Sequence, residues 1–268
     1  MAQRHRKLLF GLVAAVVAGL AVWAAVGLGF QVQDNLEQDQ IFDRLRKATQ
    51  AKAVTDLSEG SKDSDEILTE TDSADSQGTG HDIELLQAEN PNCVGWISIE
   101  DTELDYPVMQ TIDDPEYYLK RNFEGDYNRH GVPFMDARCG LGSADNLIIY
   151  GHNMADGTMF STLHKYEQYS YYEEHPVITW ETASGVDYYQ VAGVMRVSGT
   201  AYETQWSIYN CIYLNDVEFA EMVDHISRDS LYNTGVVPVY GDKLLTLSTC
   251  ESLYSQNDER LVVVAVKQ

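Results

Sequence analysis

Three side chains in this sequence can combine into covalent catalysis: the thiol of Cys250, the imidazole of His152 and the guanidinium of Arg260. Cys250 ends the run Leu244-Leu-Thr-Leu-Ser-Thr-Cys250, where an apolar strand gives way to the polar Glu-Ser-Leu-Tyr-Ser-Gln-Asn-Asp. A strand end holds a side chain rigidly and still exposes it. A cysteine with only a packing role would sit more naturally inside the apolar run, where free Cys behaves as a small hydrophobe. His152 follows Asn146-Leu-Ile-Ile-Tyr-Gly151 and precedes Asn153-Met-Ala-Asp-Gly157, so it too lies where a strand passes into a loop. A turn histidine satisfied by local backbone is the competing reading of that position. Arg260 opens the last apolar run, ten positions after Cys250, and two adjacent strands joined by the intervening polar loop would bring both residues to one rim. Taken alone, an Arg at a strand mouth is a surface charge.

Together the three support nucleophilic acyl transfer. A free thiol with pKa near ~8.5 is only about a few per cent thiolate at neutral pH, so attack needs a base, and a departing amine needs a proton. An imidazole serves both steps, and a guanidinium can neutralise the oxyanion that develops between them. The intermediate is a thioester, which an incoming amine resolves well, so a thiol nucleophile suits transpeptidation. Among the other histidines, His5 precedes the first apolar segment, His81 lies at a linker margin, His164 and His225 fall on helical stretches, and His130 and His175 are in loops. His152 is the best placed base, with His130 next.

The elements that must position these groups are mostly strands. The runs Gly95–Ile99, Tyr106–Gln110, Val132–Met135, Asn146–Tyr150, Val177–Trp180, Tyr188–Val197, Lys243–Thr249 and Leu261–Val266 are β-branched or aromatic and are bounded by Gly, Asn, Asp or Pro. About eight short strands in one segment predict a closed or nearly closed β-barrel, mainly β with added helices. Short helices are predicted over Asp82–Glu89, with Asp82 as N-cap, over Pro115–Lys120 and Thr158–Tyr166, and over Asp216–Arg228, where Phe219, Met222, Val223 and Ile226 share a face. Between Gln31 and about Lys52, Leu36, Ile41, Leu45 and Ala48 recur at near-helical spacing, which predicts an amphipathic helix. Residues 55–80 are Ser, Asp, Glu, Thr and Gly with little to bury, the composition of a flexible tether.

The ends and the charge set the compartment. Leu8 to Phe30 carries no charge and is long enough to cross a ~30 Å hydrocarbon layer. The basic flank Arg4-His5-Arg6-Lys7 before it and the acidic flank after it leave the N-terminus in the cytoplasm and the rest outside. A cleaved signal peptide is the rival, but its apolar core would be shorter. The expected layout is a cytoplasmic tail (1–7), a single-pass anchor in the plasma membrane (8–30), a juxtamembrane helix and linker (31–80) and an extracellular catalytic domain (81–268). All 42 Asp and Glu follow residue 30, as do all but three of the 18 Lys and Arg, so the outer part is even more acidic than the formal net charge of −24. That sign excludes nucleic acid as a partner. Four cysteines are too few for a disulfide scaffold, and no CxxC pair suggests zinc.

Thr246-Leu-Ser-Thr-Cys250 resembles the TLxTC signature of sortases, and Tyr150-Gly-His152 with Met159-Phe160 and Leu163 resembles their catalytic-histidine segment. Arg260 falls where their arginine belongs. The likeness continues through Trp96-Ile-Ser-Ile, Tyr106-Pro-Val-Met-Gln, Tyr118-Leu119 and Val132-Pro-Phe-Met-Asp136-Ala-Arg138, so it covers residues 82 to 267. The helix at Asp216–Arg228 and the N-terminal helical segment are similar to class B sortases rather than the smaller class A form. The resemblance implies an eight-stranded sortase barrel in a Gram-positive bacterium. Its thiolate would cleave the C-terminal sorting signal of a surface protein after Thr and pass the acyl group to a cell-wall peptide amine. It further implies that Leu119, Tyr150, Ser248 and Glu251 line the signal-binding groove and that no metal or other cofactor is required. It leaves Cys93, Cys139 and Cys211 with structural roles. The alternative is an exported cysteine endopeptidase acting on envelope peptides. Papain-like enzymes place Cys before His and usually on a helix, whereas here His152 precedes Cys250 and each follows a strand. An L,D-transpeptidase shares the order but would need a Ser-His-Gly-Cys signature that is absent. A non-catalytic envelope-binding barrel would leave the spacing of the three residues as coincidence.

Overall fold

The computed structural model describes residues 33, 35–49, 80–199, 206–250 and 259–268, with Cys250 described by its backbone alone. The expected tail (1–7), anchor (8–30), nearly all of the expected tether and Glu251 lie outside the described residues. Among the described residues no helix is long and apolar enough to cross a membrane.

Eight strands close into a barrel: β1 (Cys93–Ser98), β2 (Asp105–Met109), β3 (Phe134–Met135), β4 (Asn146–Tyr150), β5 (Val177–Thr182), β6 (Gly185–Ser198), β7 (Leu244–Cys250) and β8 (Glu259–Lys267). Their order around the barrel is β1-β2-β3-β4-β7-β8-β6-β5, and β5 pairs back onto β1. Every predicted strand is present. The central strands read as continuous apolar runs because both faces are covered: Leu261 through Ala265 on β8 are all buried, as are Asn146 through Ile149 on β4. β3 is shorter than its sequence suggests, since Pro133 has no N–H for a ladder and contributes only its carbonyl, to Met109 N at 2.9 Å. β4 and β7 run parallel, so they need a long crossover, and β5, β6 and the helix α4 supply it.

Helices decorate the barrel. We label the helix over residues 35–49 α1. Its buried stripe includes Phe42, Leu45 and Thr49 while Leu36 is 54% exposed, so the expected face is rotated; Ile41 and Ala48 are only half-buried. Phe42, absent from the predicted stripe, packs edge-on against Tyr106 at 5.1 Å. α2 (Ile83–Glu89) starts at Asp82, whose carboxylate accepts from Leu85 N at 3.0 Å as predicted. α3 (Tyr169–Glu174) was not signalled by the sequence; its first four residues, three tyrosines and a serine, carry no helical periodicity of apolar groups. α4 (Asp216–Asp229) buries Phe219, Met222 and Ile226, and Val223 is half-buried. The stretches at Tyr117–Lys120 and Phe160–Glu167 are 3-10 helices. His81, expected at the linker margin, is nearly buried, stacked on Trp96 at 4.0 Å with Nδ1 3.0 Å from Glu181 Oε1.

Candidate active site

The parallel pair β4–β7 sets the geometry. Tyr150 is in register with Ser248, and Gly151 N donates to Ser248 O at 3.1 Å. His152 stands two residues beyond Tyr150 and Cys250 two residues beyond Ser248, equal steps from one paired position. On the other side β8 runs antiparallel to β7 and sets Arg260 directly opposite Cys250. Three strand ends therefore bring positions 152, 250 and 260 to the same rim of the barrel. Gly151 is required there: a Cβ at this position would meet the Phe160 ring at 2.5 Å, so only glycine lets β4 turn over Phe160 into His152.

The His152 ring is held by a backbone carbonyl. Nε2 lies 2.7 Å from Leu119 O, and because a carbonyl only accepts, Nε2 carries the hydrogen. In the neutral ring Nδ1 is then the basic atom. Burial pulls the pKa of His152 below the ordinary histidine value. The Leu119 carbonyl opposes this, while Lys120, His130 and Arg260 add to the depression. Leu119, Tyr150, Ser248, His152 and Arg260 all line one cleft of about 530 Å³. Of the expected groove residues, Leu119, Tyr150 and Ser248 thus share the cleft with His152 and Arg260.

Three further residues in the cleft had no role assigned from the sequence. Asp136 accepts from Arg138 Nε at 2.9 Å, from Arg138 Nη2 at 2.7 Å and from the Tyr150 hydroxyl at 2.9 Å. Burial pushes its carboxyl up, but these bonds win and hold it below the usual carboxylate range. Arg138 Nη2 also donates to Tyr209 O at 2.8 Å, and the Tyr209 hydroxyl shares a 2.9 Å bond with Ser248 Oγ. The network fixes Tyr150 and Ser248 across the floor of the cleft. Asp-Ala-Arg just past β3 was the legible signal, an acid and a base two residues apart.

The remaining cysteines are unsuited to attack. Cys93, Cys139 and Cys211 are free and buried. Burial pushes their thiols up to about 12, about 11 and about 12 respectively. That leaves Cys250 as the thiol at the rim. Among the described residues no group of three His, Cys, Asp or Glu side chains is arranged to hold a metal ion.

Comparison with known proteins shows the family of the chain. The family model described as Sortase domain matches residues 97–268. The chain is 36% identical over 184 residues to Sortase B of Staphylococcus aureus (strain NCTC 8325 / PS 47), covering 68% of this chain and 73% of that protein. It is 31% identical over 251 residues to Sortase B of Listeria monocytogenes serovar 1/2a (strain ATCC BAA-679 / EGD-e), covering 92% of each. Its fold superimposes on the Staphylococcus aureus sortase B-substrate complex with a TM-score of 0.67 at 30% identity, over 87% of this chain and 98% of that one.

Proposed function

The chain belongs to the sortase family, on its class B branch, and is a cysteine transpeptidase; from that premise we propose that Cys250 is its nucleophile, His152 its proton carrier and Arg260 its oxyanion donor. The observation that carries the assignment is the shared register: Tyr150 beside Ser248 on parallel strands and Arg260 opposite Cys250. Strand alternation assigns position 250 to the face of position 248, which looks into the cleft.

The chemistry follows from the groups present. The Cys250 thiol gives its proton to His152 Nδ1 and the sulfur attacks the carbonyl carbon of the Thr in a sorting signal. Arg260 neutralises the tetrahedral oxyanion. The C–N bond breaks, His152 returns the proton to the departing amine, and the Thr acyl group remains on sulfur as a thioester. An amine of a cell-wall precursor peptide then attacks, His152 takes its proton, and the thiol leaves with a proton from the same ring. Leu119, Tyr150, Ser248 and Glu251 line the groove for the signal. The catalytic domain faces the outside of the cell, with Leu8–Phe30 as a single-pass anchor, the N-terminus cytoplasmic and residues 31–80 as spacer.

The test is mass spectrometry with a Thr-containing sorting-signal peptide. The wild-type protein is expected to form a thioacyl adduct at Cys250 and, with an added amine, the amide product. Cys250→Ala should give no adduct, and His152→Ala should stay folded without turnover. Arg260→Lys keeps the charge but loses the planar fork, so its rate should fall by about tenfold or more. An undiminished adduct in Cys250→Ala would end the assignment. Hydrolysed peptide as the sole product at high amine would replace transpeptidation by endopeptidase activity.

A further inference from the structure

His130 is 3% exposed and takes no part in the chemistry above. Its Nε2 lies 2.8 Å from Asp156 Oδ2, and its backbone N–H donates to Asn128 Oδ1 at 2.9 Å. A polar ring taken out of water and set against one carboxylate is costly unless the bond between them is made and kept. The two partners belong to the two segments that hold His152.

Asp156 lies in the loop that leaves His152. Its Oδ1 accepts from Thr158 N at 3.2 Å and from Thr158 Oγ1 at 2.7 Å. The loop folds back on itself through Gly157 N to Met154 O at 3.1 Å and returns to its start through Phe160 N to His152 O at 2.9 Å. Met159, at its close, has φ of 55°, a conformation a methionine holds only when its surroundings impose it. His130 lies in the turn that backs Leu119. Asn128 N donates to Lys120 O at 3.0 Å and Val132 N to Tyr118 O at 3.1 Å. At Gly131, φ +60°, a Cβ would lie 2.5 Å from Leu119 O. That carbonyl is the acceptor of His152 Nε2. The circuit is complete: the backbone of His152 leads through the loop to Asp156, across to His130, through the turn to Leu119, and back to the ring of His152.

We propose that the His130–Asp156 pair is a positioning device for His152. It pins the loop that follows His152 to the turn carrying the Leu119 carbonyl, and so keeps the imidazole in the tautomer whose Nδ1 moves the proton. The inference rests on the reading of His152 as the proton carrier. Neither His130 nor Asp156 touches substrate in this scheme; they act through His152.

The charges around the rings shape the test. Lys120, His130 and Arg260 each disfavour a proton on His152, the Leu119 carbonyl opposes them, and Asp156 faces His130. His130→Ala removes both the bond to Asp156 and any charge at 130. His130→Gln keeps an N–H donor able to reach Asp156 without the charge. Asp156→Ala cuts the pair from the other side. In His130→Ala and Asp156→Ala, kcat for amide formation is expected to fall about tenfold or more with KM little changed, and the double variant should be no worse than either single one. Nitrogen NMR of the His152 ring should show a single tautomer in the wild type and a mixture in both alanine variants. His130→Gln should restore kcat and the single tautomer, while the acid limb of its kcat/KM profile moves up in pH because the depression that His130 exerts on His152 has gone.

Variants that fold and yet keep wild-type kcat, tautomer and pH profile would overturn the proposal. So would a glutamine variant as impaired as the alanine one. Should His130→Ala fail to fold, Asp156→Ala and His130→Gln carry the same comparison. Activity in His152→Ala would instead sink the functional reading, whereas an inactive His152→Ala beside an unaffected His130→Ala would remove the brace alone.

Discussion

Asp136 illustrates how a single residue ties stability to the site. Its carboxylate takes two bonds from the Arg138 guanidinium and one from Tyr150, and it is held below the usual carboxylate range against the opposing effect of burial. A depressed folded pKa contributes stability that is present above the unfolded value near ~3.9 and is lost as pH falls through the folded value. Asp136→Asn keeps the shape without the charge. It is expected to cost about 1.5–3 kcal/mol at pH 7, the range for hydrogen bonds to charged groups, and to flatten the loss of stability between pH 7 and pH 3 in urea unfolding. Equal acid sensitivity in the two proteins would count against the network. For His152 the sign is the same although burial is the cause: the folded ring binds its proton less readily than the unfolded one, so stability declines as pH falls through about 6.5, and an NMR titration should place the ring below that value. That positions 152, 250 and 260 share one rim was legible because each lies at a strand end with a polar stretch beside it. Tyr209 was not, because its hydroxyl meets Ser248 through a fold-level contact that no spacing in the chain encodes. The Leu119 carbonyl was hidden for a related reason, since any residue at position 119 would present it.

The strands were readable because burial on both faces demands long apolar runs, as in residues 147–150 of β4 and 261–266 of β8, while β7 interleaves Leu with Thr and Ser. The helices were less so. The stripe of α1 was caught only in part: Leu45 is buried as expected, but Leu36 is exposed and Ile41 and Ala48 are half-buried, because Phe42 and Thr49, outside the spacing counted from Leu36, complete its buried side. α4 was legible through Phe219, Met222 and Ile226, and its start was set by chemistry that the periodicity did not need. Asn215 Oδ1 accepts from Val217 N and Glu218 N at 3.0 Å each, and Glu218 Oε2 accepts from Asn215 N at 3.0 Å, a reciprocal capping box. Asn215→Ala leaves these N–H groups to water and should cost about 1 kcal/mol, or about 2–4 °C in Tm for a domain of this size. The helix lies on β6, where a Cβ at Gly193 would meet Ile226 Cγ2 at 2.7 Å, so this close approach depends on glycine. Thermal melts of Asn215→Ala and Asn215→Asp separate the cap from mere loss of side chain: the aspartate, also a good cap, should melt near the wild type.

The larger compact unit of the molecule runs from Phe42 to Gln268, so the end of α1 belongs with the barrel even though a long stretch of chain separates it from α2. Phe42 is 2% exposed and Leu45 fully buried, with Phe42 against Tyr106. Arg46 adds Nε to Asp105 Oδ2 at 2.6 Å and Nη2 to Asp105 O at 3.0 Å, and Arg44 reaches Glu89 and Glu124. The exposed pairs of Arg44 contribute little in water, so the two apolar side chains carry the attachment. Burying a Phe and a Leu contributes about 1.5–3 kcal/mol each, so a fragment starting at residue 80 should unfold about 3–6 kcal/mol more easily than one starting at residue 42. The consequence reaches the site. Tyr106, left without Phe42, is the residue whose hydroxyl accepts from Met159 N at 3.1 Å, and Met159 closes the loop that follows His152. The shorter fragment is therefore expected to lose turnover at temperatures where its far-ultraviolet circular dichroism is still native, because the loop loosens before the barrel opens. Urea midpoints compared between the two fragments measure the first effect, and amide-product rates followed through a temperature ramp measure the second. Identical midpoints would show that residues 42–49 sit on the barrel without stabilising it.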